Sequence, residues 1–225
     1  MAKTQFVVIS DFDGTIPVRD VCNEIASSFA PEKFEKLHEA YRQNEISLKQ
    51  MQSELWTNFP CSQDQFLSKA KEAGQFRAGF FSFLNFCHQE NIDFHIASCG
   101  IRQYIEELLE HWLPIDPKDR VRSIAANSVQ FDDQRIRSIH FPHASSDSSD
   151  PLDKGEHARD FKKNNCHVIA LGNGTSDRKF IGVADTLFAT DGLARYCQQN
   201  NIEHIPFEDF HTVTNKVSQL KNGDL

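Results

Sequence analysis

Residues Phe6 to Thr15 read FVVISDFDGT. The apolar run Phe6 to Ile9 halts at two acids two positions apart, Asp11 and Asp13, and a glycine follows. An apolar run without alternation is the pattern of a parallel strand covered on both faces. Open α/β sheets bind their ligands beyond the carboxyl ends of such strands. Two carboxylates crowded at that edge are poorly solvated and repel each other, so a cation or a proton must hold them together. The chain is thereby steered toward an α/β core whose first strand ends at a place suited to a divalent metal and an aspartyl nucleophile.

Length and charge narrow the function. With 225 residues the chain makes one large domain, or one domain carrying a smaller insertion. Its formal net charge of −8 comes with no basic stripe, which argues against a nucleic-acid partner. A phosphate ester remains open to an acidic protein that brings a metal and a few local cations. No apolar stretch approaches the roughly 20 residues of a membrane helix, and Met1 to Gln5 does not lead into a secretory leader. A cytoplasmic location is the expectation. The six cysteines, at 22, 61, 87, 99, 166 and 197, form no CxxC pair and read as reduced thiols rather than a zinc site. Oligomeric state is not legible.

The stretch from Pro17 to about Leu84 reads as helical and strand-poor, a bundle of four or so helices inserted after the first strand. Asp20 is placed to cap a helix running to Ala30, and Pro31 suits the first turn of the next. Ser47 with Gln50 and Ser62 with Gln65 both have capping-box spacing. The Phe-rich run from Phe80 to Phe86 reads as a buried helix returning to the core. Ile92 to Ser98 is the second strand, with a helix after Gly100 carrying Ile101, Ile105, Leu108, Leu109 and Trp112. Arg122 to Phe141 suits a β-hairpin or short strands, and Ala144 to Asp150 a polar, mobile loop. Lys154 to Lys163 reads as a helix, and His167 to Leu171, Thr186 to Ala189 and Glu203 to Phe207 as further strands. Strands alternating with helices predict a doubly wound, mainly parallel α/β core of residues 1–16 and 85–225, with 17–84 as a small inserted α-helical cap.

In such a sheet the strand ends share one edge. The first offers Asp11 and Asp13, the second Ser98, the third Asn173 and Asp177, while Lys154 opens the helix before the third. Oxygen ligands suit Mg²⁺, which keeps several waters and often shares its shell with phosphate. A hydroxyl, a lysine and helix N-terminal amides suit phosphate oxygens. Taken singly, each residue also has an ordinary reading. Asp11 and Asp13 suit loop acids capping the next helix, Ser98, Asp177 and Asp20 suit helix caps, Lys154 a solvated surface side chain, and Asn173-Gly174 a turn. His140, His143 and Arg102 read as rim or surface residues.

Taken in order, the set resembles the haloacid dehalogenase superfamily. Asp11-Phe-Asp-Gly-Thr15 matches its first motif in full, Ser98 its second, Lys154 in Asp153-Lys-Gly155 its third, and Gly172-Asn-Gly-Thr-Ser-Asp177 its fourth. The resemblance covers essentially the whole chain and implies Mg²⁺-dependent phosphoryl transfer from a small phosphorylated metabolite. Asp11 would be the nucleophile and Asp13 the acid and base. Ser98 and Lys154 would balance phosphate charge, and Asp11, Asp13, Asn173 and Asp177 would hold the metal. Gly14, Thr15, Asp20, Cys99 and Gly100 would line the phosphate and substrate side. The tail Phe188 to Phe210, the stretch around Asn127 and Phe131, and His140 to His143 are similar to the methionine-salvage phosphatases of that superfamily, which act on a keto-enol methylthiopentenyl phosphate. The phosphoserine phosphatases are the neighbouring branch. Two departures stand out. Asn173 replaces a customary metal-binding Asp, implying weaker metal binding, and the Ser/Asp-rich loop Ala144 to Asp153 replaces a cysteine-rich segment of the salvage phosphatases, with Cys99 also replacing a glycine beside Ser98. A non-catalytic binding protein that retains the fold is the rival from another class.

Overall fold

The computed structural model describes residues 5–144 and 148–223. Residues 145–147, within the loop expected between Ala144 and Asp150, lie outside the described residues. Among the described residues, seven strands form one sheet in the order β4-β3-β2-β1-β5-β6-β7. They are β1 (Phe6–Ser10), β2 (Asp93–Ile101), β3 (Ser123–Phe131), β4 (Ile136–His140), β5 (His167–Gly172), β6 (Thr186–Ala189) and β7 (Ile205–Pro206). All neighbours run parallel except the β3–β4 hairpin at one edge. The doubly wound reading of the sequence holds.

β1 lies at the centre, and its alternation sorts the two helical layers. Val8 packs into one core with α5 (Phe80–Gln89), α6 (Arg102–Trp112) and α9 (Phe210–Asn222). Val7 and Ile9 face the opposite layer, with Ala158 of α7 (Lys154–Lys163) and Leu193 of α8 (Asp191–Gln199). This is why β1 is apolar on both faces, the property that marked it in the sequence.

Between β1 and β2 come α1 (Val21–Phe29), α2 (Pro31–Arg42), α3 (Leu48–Trp56) and α4 (Gln63–Ala73). The expected start signals operate. The Asp20 side chain accepts from the Asn23 amide, Pro31 opens α2, and both capping boxes form in full. Trp56, Phe59 and Phe66 make the aromatic centre of this helical segment, and Phe66 reaches on to Tyr104 and Phe131, so its interior is continuous with the larger core. The chain enters and leaves the segment through two paired stretches. Val18 donates to the Gln75 carbonyl, Arg77 donates to that of Ile16, and Pro17 bridges Phe76.

β2 runs three residues beyond the expected end at Ser98, and α6 begins only at Arg102. Its pairing with β1 stops at Ile96, and its register with β3 breaks between Ala97 and Ile101. Residues 98–100 are thus extended but unpaired, an irregularity that a hydrophobic pattern cannot register. Trp112, counted in the apolar stripe of α6, is one of two exposed large apolar side chains among the described residues. All six cysteines are free, and no described helix is long and apolar enough to cross a membrane.

Candidate active site

The carboxyl ends of β1, β2 and β5 open onto a cavity of about 190 Å³. Asp11, Asp13, Asp20, Ser98, Cys99, Gly100 and Asn173 line it, together with Gly174 to Ser176. Cys22, Asn23, His38, Tyr41, Leu48, Met51, Gln52 and Leu55 from the helical segment close the other side. Gly14, Thr15, Lys154 and Asp177 stand behind this wall and brace it.

Lys154 is the hub of the bracing. Its Nζ donates to Asp11 Oδ1 and to Asp177 Oδ1, each at 2.6 Å. Its side chain is 1% exposed, so the surface reading of this lysine does not describe it. Burial alone would lower its pKa, but the Asp11 and Asp177 charges overrule that and keep the ammonium protonated. Asp177 Oδ2 accepts from the Asn173 and Gly174 amides at 3.0 and 2.9 Å, which ties the loop after β5 to the same hub. The short 3-10 helix Ser176–Phe180 carries Asp177 into this position.

Asp11 Oδ2 accepts from Thr15 Oγ1 at 3.3 Å, and the same hydroxyl lies 3.3 Å from Asn173 Oδ1. Two hard oxygens of different strands therefore lie close to one hydroxyl. Gly14 sits at φ +73°, and any side chain there would collide with the Asn173 amide. At Gly100 a side chain would strike the Tyr104 hydroxyl and Asp13 Oδ2. Both glycines are required by close approach, and Gly14 also by its left-handed backbone.

Asp13 accepts from the Val21 amide at 3.1 Å through Oδ1 and from the Tyr104 hydroxyl through Oδ2. Burial, then the Asp20 charge, hold its carboxyl well above the usual carboxylate range. Burial, then the Asp177 charge, push Asp11 up to about 7 against the pull of Lys154. Asp20 both caps α1 and faces the cavity, and burial raises it to about 6. Of the four acids Asp11, Asp13, Asp20 and Asp177, only Asp11 and Asp177 pair with an ammonium, and no Arg or Lys is among the lining residues. That deficit of positive charge, with oxygen donors only, fits a hard divalent cation. Among the described residues no three His, Cys, Asp or Glu side chains form a ready metal cluster. The oxygens that approach one another at the cavity are Asp11 Oδ2 and Asn173 Oδ1, both against the Thr15 hydroxyl, with Asp177 behind Lys154. Few protein ligands and several waters suit Mg²⁺.

Ser98 is fully buried, and its Oγ accepts from the Gly100 amide at 2.9 Å. Burial pushes the Cys99 thiol up to about 12, so it stays protonated and is no nucleophile at neutral pH. Arg102 turns away to the Ile124 carbonyl and Glu106. His140 and His143 line no part of the cavity.

Sequence reasoning missed two residues in the fabric of the site. Tyr104 carried no signal beyond its helical spacing. Arg77 donates to the Gly14 and Thr15 carbonyls at 2.9 and 3.1 Å, and also meets the Glu208 carbonyl and Asp191. It lies in the exit stretch from the helical segment, where an arginine among Gly and Ala has no pattern to mark it.

No protein-family model matches the chain. A 2-hydroxy-3-keto-5-methylthiopentenyl-1-phosphate phosphatase from Bacillus cereus is 29% identical over 217 residues, covering 95% of this chain and 96% of that protein. Among solved structures, a substrate-bound phosphoserine phosphatase superposes with a TM-score of 0.71 at 14% identity, covering 95% of this chain and 99% of the other. A phospho-aspartyl intermediate analogue of phosphoserine phosphatase gives 0.68 at 14% identity, covering 92% and 95%. The structural likeness shows the fold, which is that of the phosphoserine phosphatases superposed on it.

Proposed function

We propose that this phosphatase relative with the haloacid dehalogenase fold hydrolyses a small phosphate monoester through an aspartyl-phosphate formed on Asp11. The observation that carries the reading is the Asp11–Lys154–Asp177 hub at the cavity floor, with two 2.6 Å ion pairs and almost no solvent contact. Lys154 holds Asp11 Oδ1, leaving Oδ2 as the oxygen to attack phosphorus. Asp13, held protonated by burial, donates its proton to the leaving oxygen and then takes one from the attacking water. Its two hydrogen bonds, from Val21 and Tyr104, fix the carboxyl plane for both transfers. The Ser98 hydroxyl meets the equatorial phosphate oxygens, and the Lys154 ammonium behind Asp11 balances their charge. Bound Mg²⁺, held by Asp11, the Asp13 carbonyl, Asn173 and, directly or through water, Asp177, would neutralise phosphate charge. Residues 17–84 act as a cap that excludes water and reads the leaving group, and residues 1–16 and 85–225 form the catalytic core.

The cap wall favours a substrate class. Leu48, Met51 and Leu55 offer apolar surface, and His38, Tyr41 and Asn23 offer neutral hydrogen-bonding groups. A substrate carboxylate, as in phosphoserine, would meet no Arg or Lys among these lining residues. A partly apolar, uncharged keto-enol leaving group of the methionine-salvage type suits the wall better.

The test is release of phosphate from an aryl phosphate, then from a panel of metabolite phosphates. Activity should require Mg²⁺, disappear with chelator and fall to background in Asp11→Asn. Equal release in all three conditions would favour a binding protein instead.

A further inference from the structure

Residues 98–100 of β2 have no register partner in β1 or β3, and the Cys99 carbonyl lies in this stretch. Two side-chain amides take it. Gln52 Nε2 donates from α3 at 2.8 Å and Asn127 Nδ2 from β3 at 2.7 Å. Asn127 Nδ2 also reaches Gln52 Oε1 at 3.1 Å, closing a three-way network. Gln52 is 5% and Asn127 1% exposed. Asn127 Oδ1 has no partner, so the bonds of its Nδ2 alone hold this amide in place.

The Cys99 carbonyl and the Gly100 N–H belong to one peptide unit. That unit is planar, so fixing the carbonyl fixes the direction of the N–H on its far side. The Gly100 N–H donates to Ser98 Oγ at 2.9 Å. A continuous mechanical path therefore runs from the Gln52 amide, through one rigid peptide plane, to the hydroxyl that lines the cavity.

We propose that Gln52 is a positioning residue that couples docking of α3 to the orientation of Ser98. With α3 docked, the 99–100 peptide is clamped from two sides and Ser98 Oγ is held for a phosphoryl oxygen. With α3 displaced, Asn127 alone remains, the peptide can rock, and the hydroxyl loses its fixed donor. The sequestering of substrate and the completion of the phosphate site thus become one event. The catalytic part rests on the hydrolase reading above, and the mechanical part does not.

The experiment compares wild type with Gln52→Met, which keeps length and packing but removes both hydrogen bonds, and with Glu54→Gln on the exposed face of α3 as control. Exchange and chemical shift of the Gly100 amide are followed by NMR, alongside kcat and KM for an aryl phosphate. Loss of the bond should speed Gly100 exchange about tenfold and lower kcat about tenfold, with KM changed less than kcat and Tm within about 4 °C of wild type. Glu54→Gln should match wild type in every readout. An unchanged Gly100 amide overturns the proposal, including when kcat falls, because Gln52 would then act on substrate directly. If Gln52→Met does not fold, Gln52→Glu keeps the acceptor for Asn127 while removing the donor to Cys99, and is read the same way. A wild type that hydrolyses nothing overturns the hydrolase reading, and the Gly100 amide still decides the coupling.

Discussion

Replacing Lys154 with Met tests the electrostatic centre directly. Methionine fills similar volume but brings no charge, so the buried Asp11 and Asp177 carboxylates would face each other across an apolar side chain. Breaking a buried pair by removing one partner costs about 3–5 kcal/mol. For a chain of 225 residues each kcal/mol moves Tm by about 2–4 °C, so the expected fall is about 6–20 °C at pH 8. The sign of the pH dependence follows from the carboxyls. Asp11 is raised from 3.8 to about 7 in the folded protein, so its contribution is most favourable below the unfolded value and is lost as pH rises through the folded one. Lys154 is held protonated by its partners and contributes evenly across pH 5–8. Without the lysine, Asp11 depends still more on its bound proton, so the gap between wild type and variant should narrow at pH 5 and widen toward pH 8. Thermal melts of both proteins at several pH values, with no divalent ion added, measure this. A drop below about 3 °C at pH 8, or a gap that grows as pH falls, would refute the reasoning.

Asn173→Asp should lower the Mg²⁺ concentration that gives half-maximal aryl phosphatase activity, because a formal charge is added beside the cation. A metal titration that stays put would mean this side chain does not face the metal. Arg77→Lys keeps the charge but cannot span the Gly14, Thr15 and Glu208 carbonyls together with Asp191. Loss of about 2 kcal/mol by denaturant unfolding is expected, together with a several-fold fall in kcat/KM. An unchanged unfolding midpoint would remove Arg77 from the account of how the first motif is held.

The sheet was legible because each buried strand is a short apolar run ending in polar residues, and the cap helices because Asp20, Pro31, Ser47 and Ser62 announce their starts. The residues of the hub were legible as a set, although none was specific alone. What stayed hidden depends on approach between distant segments. Lys154 looks like any helix-start lysine until 143 residues of separation are folded away to place it against Asp11. The break in β2 is a matter of register, and register leaves no mark on composition. Tyr104 and Arg77 act through side chains whose partners lie on other elements, so no periodicity points to them.

The antiparallel stitch between residues 16–18 and 75–77 has a consequence for how such proteins diversify. Because departure and return points are neighbours, a change in the length of the segment between them leaves the spacing of β1 and β2 untouched, provided that Tyr104 and Phe131 keep an apolar cover in place of Phe66. A lineage could lengthen or shorten that segment while β1 and β5 keep their partners, and so remodel the far wall of the cavity without disturbing the sheet edge.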